Sequence, residues 1–416
     1  MILDAMTPAA SSLAAPPTPG ETAVLATIDA AAMLDRTLAW SGINSGSRNA
    51  VGLSAMADAL APLLTRFGTV ARVAPTPASA VDAAGEATPL FHGDNLHLTV
   101  RPDAPTRVLL TGHMDTVFAV DHAFQTPRWR DADTVNGPGV ADMKGGIAVM
   151  IAALEAVLAS PLADRLGIEV VLNADEEVSS LGSAALLAAA ARRCHLGLTF
   201  EPALPDGTLA GARSGSGNFS AVVRGRAAHA GREPEKGRNA VVAAADFALR
   251  LSRLVGPGLS VNPARIDGGG PNNIVPDLAV LRFNARPASL ADQAAAEVAI
   301  AQTVAAVAAA HDVTITLDGG FARPPKPLDG NQRRAFDLVQ GCGAALGLPL
   351  GWRDTGGVCD GNNLAATGLA VVDTMGVRGG AIHSADEFMV VASLAERARL
   401  SALVLMRVAQ HGFTRG

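Results

Sequence analysis

A chain of 416 residues exceeds what one hydrophobic core usually supports, so two domains are expected. It is 49% apolar and 17% charged, an ordinary balance for a globular protein, and its formal net charge of −6 leaves no basic footprint for nucleic acid. A small-molecule partner is expected instead.

Cys194, Cys342 and Cys359 are odd in number, far apart and outside any CxxC pattern. Neither a disulfide framework nor a zinc knuckle is indicated, and a reducing compartment, the cytoplasm, is favoured. Residues 1–20 are rich in Ala, Pro, Ser and Thr and lack both a basic start and a continuous apolar core, so they read as a disordered tail rather than a signal peptide. No apolar run approaches the about 20 residues a membrane span needs, and no membrane partner is expected.

In chain order, apolar residues at helical spacing predict helices over Ile28–Ala39 and Ser54–Arg66, followed by strands at Thr69–Val73 and Asn95–Val100. Arg107–Gly112 reads as a buried strand that delivers His113 and Asp115 just past its end. From Met143 the small and apolar residues continue for about four turns, predicting a helix over Gly145–Leu158 with Asp142 at its start. The pair Gly145-Gly146 permits close approach of that helix. Ile168–Ala174 is a second core strand, ending in Asp175-Glu176-Glu177; a helix over Ser183–Ala191 follows, and then a third strand, Leu196–Phe200, ending in Glu201.

Between about Gly215 and Pro325 the character changes. Asn218–Arg224 alternates as a strand and Ala240–Leu254 is an amphipathic helix. Ile266 and Leu278–Ala285 bracket a Gly- and Asn-rich turn, Ser289–Ala310 is a long Ala-rich helix, and Val313–Leu317 is a closing strand. The order β-α-β-β-α-β is that of a ferredoxin-like domain. After Pro324-Pro325 come a helix over Gln332–Leu346, a fourth core strand at Ala370–Met375, a Gly-containing loop bearing His383, and a last helix over Leu394–Ala409. The fold class is therefore α/β: a doubly wound layer, discontinuous over 21–214 and 326–416, with an α+β insertion over 215–325.

One His beside an Asp is ordinarily a surface pair. Here four apolar runs each hand over to His, Asp or Glu, and open α/β sheets build their sites at strand ends. Imidazole and carboxylate donors without cysteine suit a catalytic zinc centre better than a closed structural one. The sequon Asn218-Phe219-Ser220 has no secretory signal to accompany it, and Gly215-Ser216-Gly217 lacks a phosphate lysine or dinucleotide fingerprint, so no organic cofactor is indicated.

The segments GHMDTVF, GPGVADMKGG, NADEEVSSLGS, FEP and IHSADEF, in this order between about Val108 and His383, resemble the di-zinc metallopeptidase superfamily of carboxypeptidase G, aminoacylase, acetylornithine deacetylase and succinyl-diaminopimelate desuccinylase. GHMDTV and GPG-x-AD-x-KGG are nearest the carboxypeptidase G branch. The resemblance implies a zinc-peptidase-like catalytic domain, a mixed sheet flanked by helices, carrying a ferredoxin-like lid through which the chain forms a homodimer. It implies two Zn2+ ions, with Co2+ or Mn2+ as substitutes, bridged by Asp142; His113 and Glu201 complete one position, Glu177 and His383 the other. It makes Glu176 the general base and acid, and Asp142-Met143 a cis peptide. Asp115, two residues after His113, could accept that imidazole's other N–H.

The resemblance also implies that His229, in GRAAHAG, donates to the scissile carbonyl from the partner subunit. Asn273 and Arg286 match positions that contact the substrate backbone and its carboxylate, a task suited to the planar fork of arginine. Gly356 and Gly357 match the glycine loop beside that carboxylate. Cys359 departs from the branch, which has a hydroxyl residue there, and this places selectivity for glutamate in question. Cys359 has no recognisable histidine pairing and is not read as a nucleophile.

The function so implied is hydrolysis of an amide next to a free carboxylate, by a water held between two zinc ions. It would release an amino acid from an N-acyl amino acid, a folate-like conjugate or a dipeptide. The alternatives are an acetylornithine deacetylase-like N-deacylase, a di-metal phosphoesterase, and a catalytically silent binding protein. The intact Glu176 counts against the last, since a receptor needs no proton shuttle.

Overall fold

The computed structural model describes residues 14–415. A six-stranded sheet runs in the order Thr69–Val73, Asn95–Val100, Leu166–Asn173, Thr106–His113, Leu196–Thr199, Ala370–Val372. The last four are mutually parallel, and the first two join antiparallel at one side. Strands covered on both faces read as continuous apolar runs, and Leu166–Asn173 is buried at every position. Alternate residues feed two cores. Val108 and Leu110 pack with the helices Gly145–Leu158 and Ser393–His411, whereas Leu109 and Val171 face Leu187 and Leu364 on the opposite side.

Because the four parallel strands point the same way, whatever follows their C-terminal ends is gathered on one edge of the sheet. That edge receives His113, Asp175–Glu177, Glu201 and Asp373. Gly146 allows the helix Gly145–Leu158 to start directly against it, since a Cβ there would lie 2.0 Å from the Phe200 carbonyl oxygen.

The insertion forms a second, antiparallel sheet in the order Leu259–Gly268, Leu278–Pro287, Ser216–Arg224, Thr314–Arg323. Its helices, Ala240–Ser252 and Leu290–His311, pack on it around Phe247, Phe283 and Ile300. Chain order and strand order are those of the ferredoxin-like arrangement. The two crossings between the sheets run side by side: Arg213 and Lys326 exchange backbone N–H···O bonds of 2.9 and 3.0 Å.

The strands Thr69–Val73 and Asn95–Val100 and the helix Gly145–Leu158 have the bounds expected from sequence, and other ends shift by a few residues. The expected lid strand Val313–Leu317 extends to Arg323, which brings that arginine to the other domain. Three departures matter. The expected tail lies outside the described residues up to 13, but its end is ordered: Thr18 and Glu21 form a capping box for the helix Pro19–Leu25, and the Ala15 carbonyl accepts from Arg407. One helix, Leu290–His311, is long and apolar enough by composition to cross a membrane, contrary to the expectation of no such run; its apolarity comes largely from alanine, and it packs on the lid sheet. The hairpin Ala78–Val81/Ala87–Leu90 was not expected, and it reaches the lid through Arg282 to the Val81 carbonyl (3.0 Å) and Arg224 to Glu86 (2.9 Å).

Candidate metal centre

His113 closes its strand, and its imidazole is buried. Nε2 stands 3.0 Å from Asp142 Oδ1 and 3.9 Å from Glu201 Oε1. On the far side of Asp142, His383 Nε2 lies 3.4 Å from Asp142 Oδ2 and 3.1 Å from Glu177 Oε2. The five side chains expected as ligands therefore form two donor groups, His113–Asp142–Glu201 and Asp142–Glu177–His383, each within 4.8 Å, with Asp142 common to both.

Asp142 does not sit in regular helix. It lies in a turn, Val140–Lys144, ahead of the helix, with extended dihedrals (φ −117°, ψ 88°), and the Asp142-Met143 peptide is cis, as expected. His383 does not follow the fourth core strand directly. It occupies a left-handed position (φ 64°) in the turn between Gly379–Gly380 and Phe388–Val390, two strands of a small sheet shared with Thr134–Asn136 and Arg128–Trp129.

The donor set fits divalent cations. Burial, reinforced by the Asp142 charge, pushes both Glu201 and Glu177 above the usual carboxylate range. Glu201 Oε1 is buried without a hydrogen-bond partner among the described residues. Asp142 is held low in spite of burial by its bonds to His113 and His383, and Asp142 and Glu177 raise His383 to about 11. Cations on these donors would relieve the crowding of carboxylates. Mixed imidazole and carboxylate oxygen donors suit zinc.

Asp115 serves the site differently from the expectation. The closer acceptor for His113 Nδ1 is the Asp115 main-chain carbonyl at 2.9 Å, with the carboxylate at 3.4 Å. The carboxylate instead accepts the N–H groups of Glu176 (3.1 Å) and Glu177 (3.2 Å) and the Ser47 hydroxyl (2.7 Å). It thereby shapes the turn that carries both glutamates. Glu176 is pushed up to about 8, chiefly by burial, with Arg323 opposing.

Asp142, Glu176, Glu177, Glu201 and His383 line a cavity of about 480 Å³ whose opposite wall comes from the insertion: Asn218, Asn284, Arg286 and Arg323. Among the described residues Arg286 bonds only neutral acceptors, Asn284 Oδ1 and the Gly356 carbonyl, each at 3.0 Å. Gly357 lines the cavity, and its carbonyl accepts from Arg213 (3.1 Å). Cys359 also faces it, but its thiol is buried, pushed well above the usual range by that burial, and occupied in capping Gly361 N–H.

His229 and Asn273 are not brought to this cavity within one chain. Ser216 lines the cavity, and Arg224, at the other end of the same strand, is roughly 26 Å away at about 3.3 Å per residue. His229 lies beyond Arg224 on the exposed lid tip, bridged to Ile274 and with Ala230 bonded to the Asn273 carbonyl.

Several residues that shape the site were not singled out from the sequence. Arg323 sets Nη1 2.8 Å from Glu176 Oε1 and Nη2 2.7 Å from the Glu176 carbonyl. Asp373 takes Arg213 Nε (2.8 Å) and Lys326 Nζ (2.7 Å), all three buried. Glu387, inside the quoted segment IHSADEF, receives three backbone N–H groups from the Asp142 turn.

Residues 109–407 match the model of peptidase family M20/M25/M40. Carboxypeptidase G2 of Pseudomonas sp. (strain RS-16) is 29% identical over 371 residues, covering 88% of this chain and 86% of that one. Succinyl-diaminopimelate desuccinylase of Xanthomonas campestris pv. campestris (strain 8004) is 30% identical over 324 residues, 72% of this chain and 83% of that one. The crystal structure of a tripeptidase from Staphylococcus aureus subsp. aureus mu50 superimposes with a TM-score of 0.71 at 22% identity, covering 92% of this chain and 100% of that one.

Proposed function

The chain belongs to peptidase family M20/M25/M40 and is a metal-dependent amide hydrolase, and on that premise we propose that it holds two zinc ions and releases an amino acid from an N-acyl amino acid, a folate-like conjugate or a dipeptide. The observation that carries this reading is the pair of donor groups sharing Asp142, set in the wall of a cavity that also holds Glu176 and Arg286.

When bound, two divalent cations supply Lewis acidity and offset the charge that develops on the scissile carbonyl oxygen. His113, Glu201 and Asp142 would hold one, and Asp142, Glu177 and His383 the other. Glu176 takes a proton from the attacking water and returns it to the leaving amine. Arg323 holds the Glu176 carboxylate in place, and Asp115 fixes the Glu176 backbone. Arg286, with no acidic partner among the described residues, binds the substrate carboxylate, and the loop of Gly356 and Gly357 borders it.

The second copy in a homodimer completes the site by bringing the partner's His229 to the scissile carbonyl and the partner's Asn273 to the substrate backbone. Two features support the lid as the dimer surface. The edge strand Leu259–Gly268 pairs on one side only, and the lid helices expose Val242, Leu249, Leu290 and Val298. The three buried free thiols fit a reducing compartment, the cytoplasm.

The test is turnover by the zinc-loaded protein of a panel of N-acyl amino acids and dipeptides, each paired with its carboxamide, and of a phosphate ester. Free-carboxylate compounds should be cleaved at least tenfold faster than their carboxamides. Cleavage of the phosphate ester alone, or of nothing, rejects the reading. Sedimentation that finds a fully active monomer rejects the role of the partner's His229.

A further inference from the structure

The N–H groups at the start of a helix have no partner within it, and some other acceptor must meet them. In the turn that carries Asp142, neither Gly139 nor Lys144 supplies a side-chain cap. The acceptor comes from far along the chain. Glu387, 1% exposed, takes Gly139 N–H on Oε2 (3.1 Å) and the N–H groups of Ala141 and Asp142 on Oε1 (3.0 Å each).

The same residue closes the turn that bears His383. Glu387 N–H bonds the Ser384 carbonyl (3.1 Å), while its own carbonyl accepts from Gly137 N–H (3.3 Å) and Asn136 Nδ2 (2.7 Å). Asn136 Nδ2 also reaches the Ala385 carbonyl (2.9 Å), and Phe388 continues as a strand paired with Asn136. His113 and Glu201 are held by the ends of core strands. Asp142 and His383, in contrast, both stand on turns, and Glu387 joins those turns through its carboxylate and its backbone.

We propose that Glu387 is a positioning residue for the metal held by Asp142, Glu177 and His383, setting the spacing of the two turns before the ion arrives. This rests on the reading of those three residues as a metal position. A carboxylate is required because three N–H donors converge on its two oxygens; a glutamine would turn its own NH2 towards one of them.

The experiment titrates the metal-free full-length chain with zinc alone, followed by calorimetry. Wild type should bind two equivalents. Glu387→Gln should weaken the second equivalent, defined as the one that His383→Ala abolishes, by ten- to a hundredfold, as loss of a residue supporting metal ligands commonly does, and the other, which shares Asp142, by less than threefold. Adding Glu387→Gln to His383→Ala should weaken the remaining equivalent by less than threefold, because the residue acts chiefly through the position already lost. A merely structural role would lower both equivalents together and would add to His383→Ala. Two wild-type-like equivalents in Glu387→Gln overturn the inference and leave the metal reading standing; wild type binding fewer than two overturns both. Should Glu387→Gln not accumulate as folded protein, Asn136→Ala loosens the same turn from the other strand. It should weaken the second equivalent by a smaller factor, and unchanged binding in it overturns the inference.

Discussion

Arg323 ends the last strand of the lid, yet its guanidinium lies 2.8 Å from the carboxylate of Glu176 in the catalytic domain and bonds that residue's carbonyl at 2.7 Å. A third contact goes to Ser180 Oγ at 2.9 Å, and Asp360 stands 3.6 Å away. Arg323→Met leaves Glu176 and Asp360 buried without that cation, a loss expected to cost about 3 kcal/mol in denaturant unfolding. It should also lower kcat roughly tenfold or more while two metals per chain are retained.

Glu176 itself belongs to neither donor group found among the described residues. Glu176→Ala should therefore keep both metals, measured by elemental analysis, and lose roughly 10²–10⁴-fold in kcat. Normal hydrolysis by this variant would remove Glu176 from the acid and base roles.

Among the described residues Asp373 is the one acidic partner that joins both domain crossings. Arg213 Nε and Nη2 reach it at 2.8 and 3.2 Å and Lys326 Nζ at 2.7 Å, and Lys326 is fully buried. Asp373→Ala strands two buried cations and should cost about 3–5 kcal/mol. Urea unfolding followed by circular dichroism measures it. A loss below 1 kcal/mol would show that the crossings do not depend on this carboxylate.

Away from the metal centre, Glu169 accepts Arg193 Nε at 2.8 Å and lies 3.0 Å from His97 Nε2. Burial opposes its ionisation, but these partners prevail and lower its pKa to about 2. As pH falls, the unfolded chain takes up this proton first, near the ordinary glutamate value of about 4.5. The stabilisation is thus complete above about pH 4.5 and is lost as pH falls towards about 2. Allowing for the solvent exposure of Arg193, Glu169→Gln should cost roughly 2 kcal/mol at neutral pH, and the difference from wild type should shrink across that window.

The parts of the site that sequence disclosed are those whose geometry is local. A strand that ends in His113, Glu176-Glu177 or Glu201 announces both the element and its cargo, and parallel strands then gather the cargo without further information. The β-α-β-β-α-β order of the insertion was legible for the same reason. What remained hidden depends on distant pairing. Arg323, Asp373 and Glu387 are single charged residues whose partners lie far along the chain, so no periodicity or spacing singles them out. His383 stands beside Asp142, but the small sheet that presents it is built of strands two or three residues long, too short to leave a pattern. The Asp115 contact shows a finer limit. The residue could be read from its spacing, whereas the atom that faces His113 Nδ1 most closely is the backbone carbonyl.

The most direct measurement removes the metal. Enzyme treated with EDTA and dialysed should lose all turnover of an N-acyl amino acid, and added zinc or cobalt should restore it, saturating at two equivalents per chain. Undiminished turnover in a preparation shown by elemental analysis to be metal-free would contradict the account.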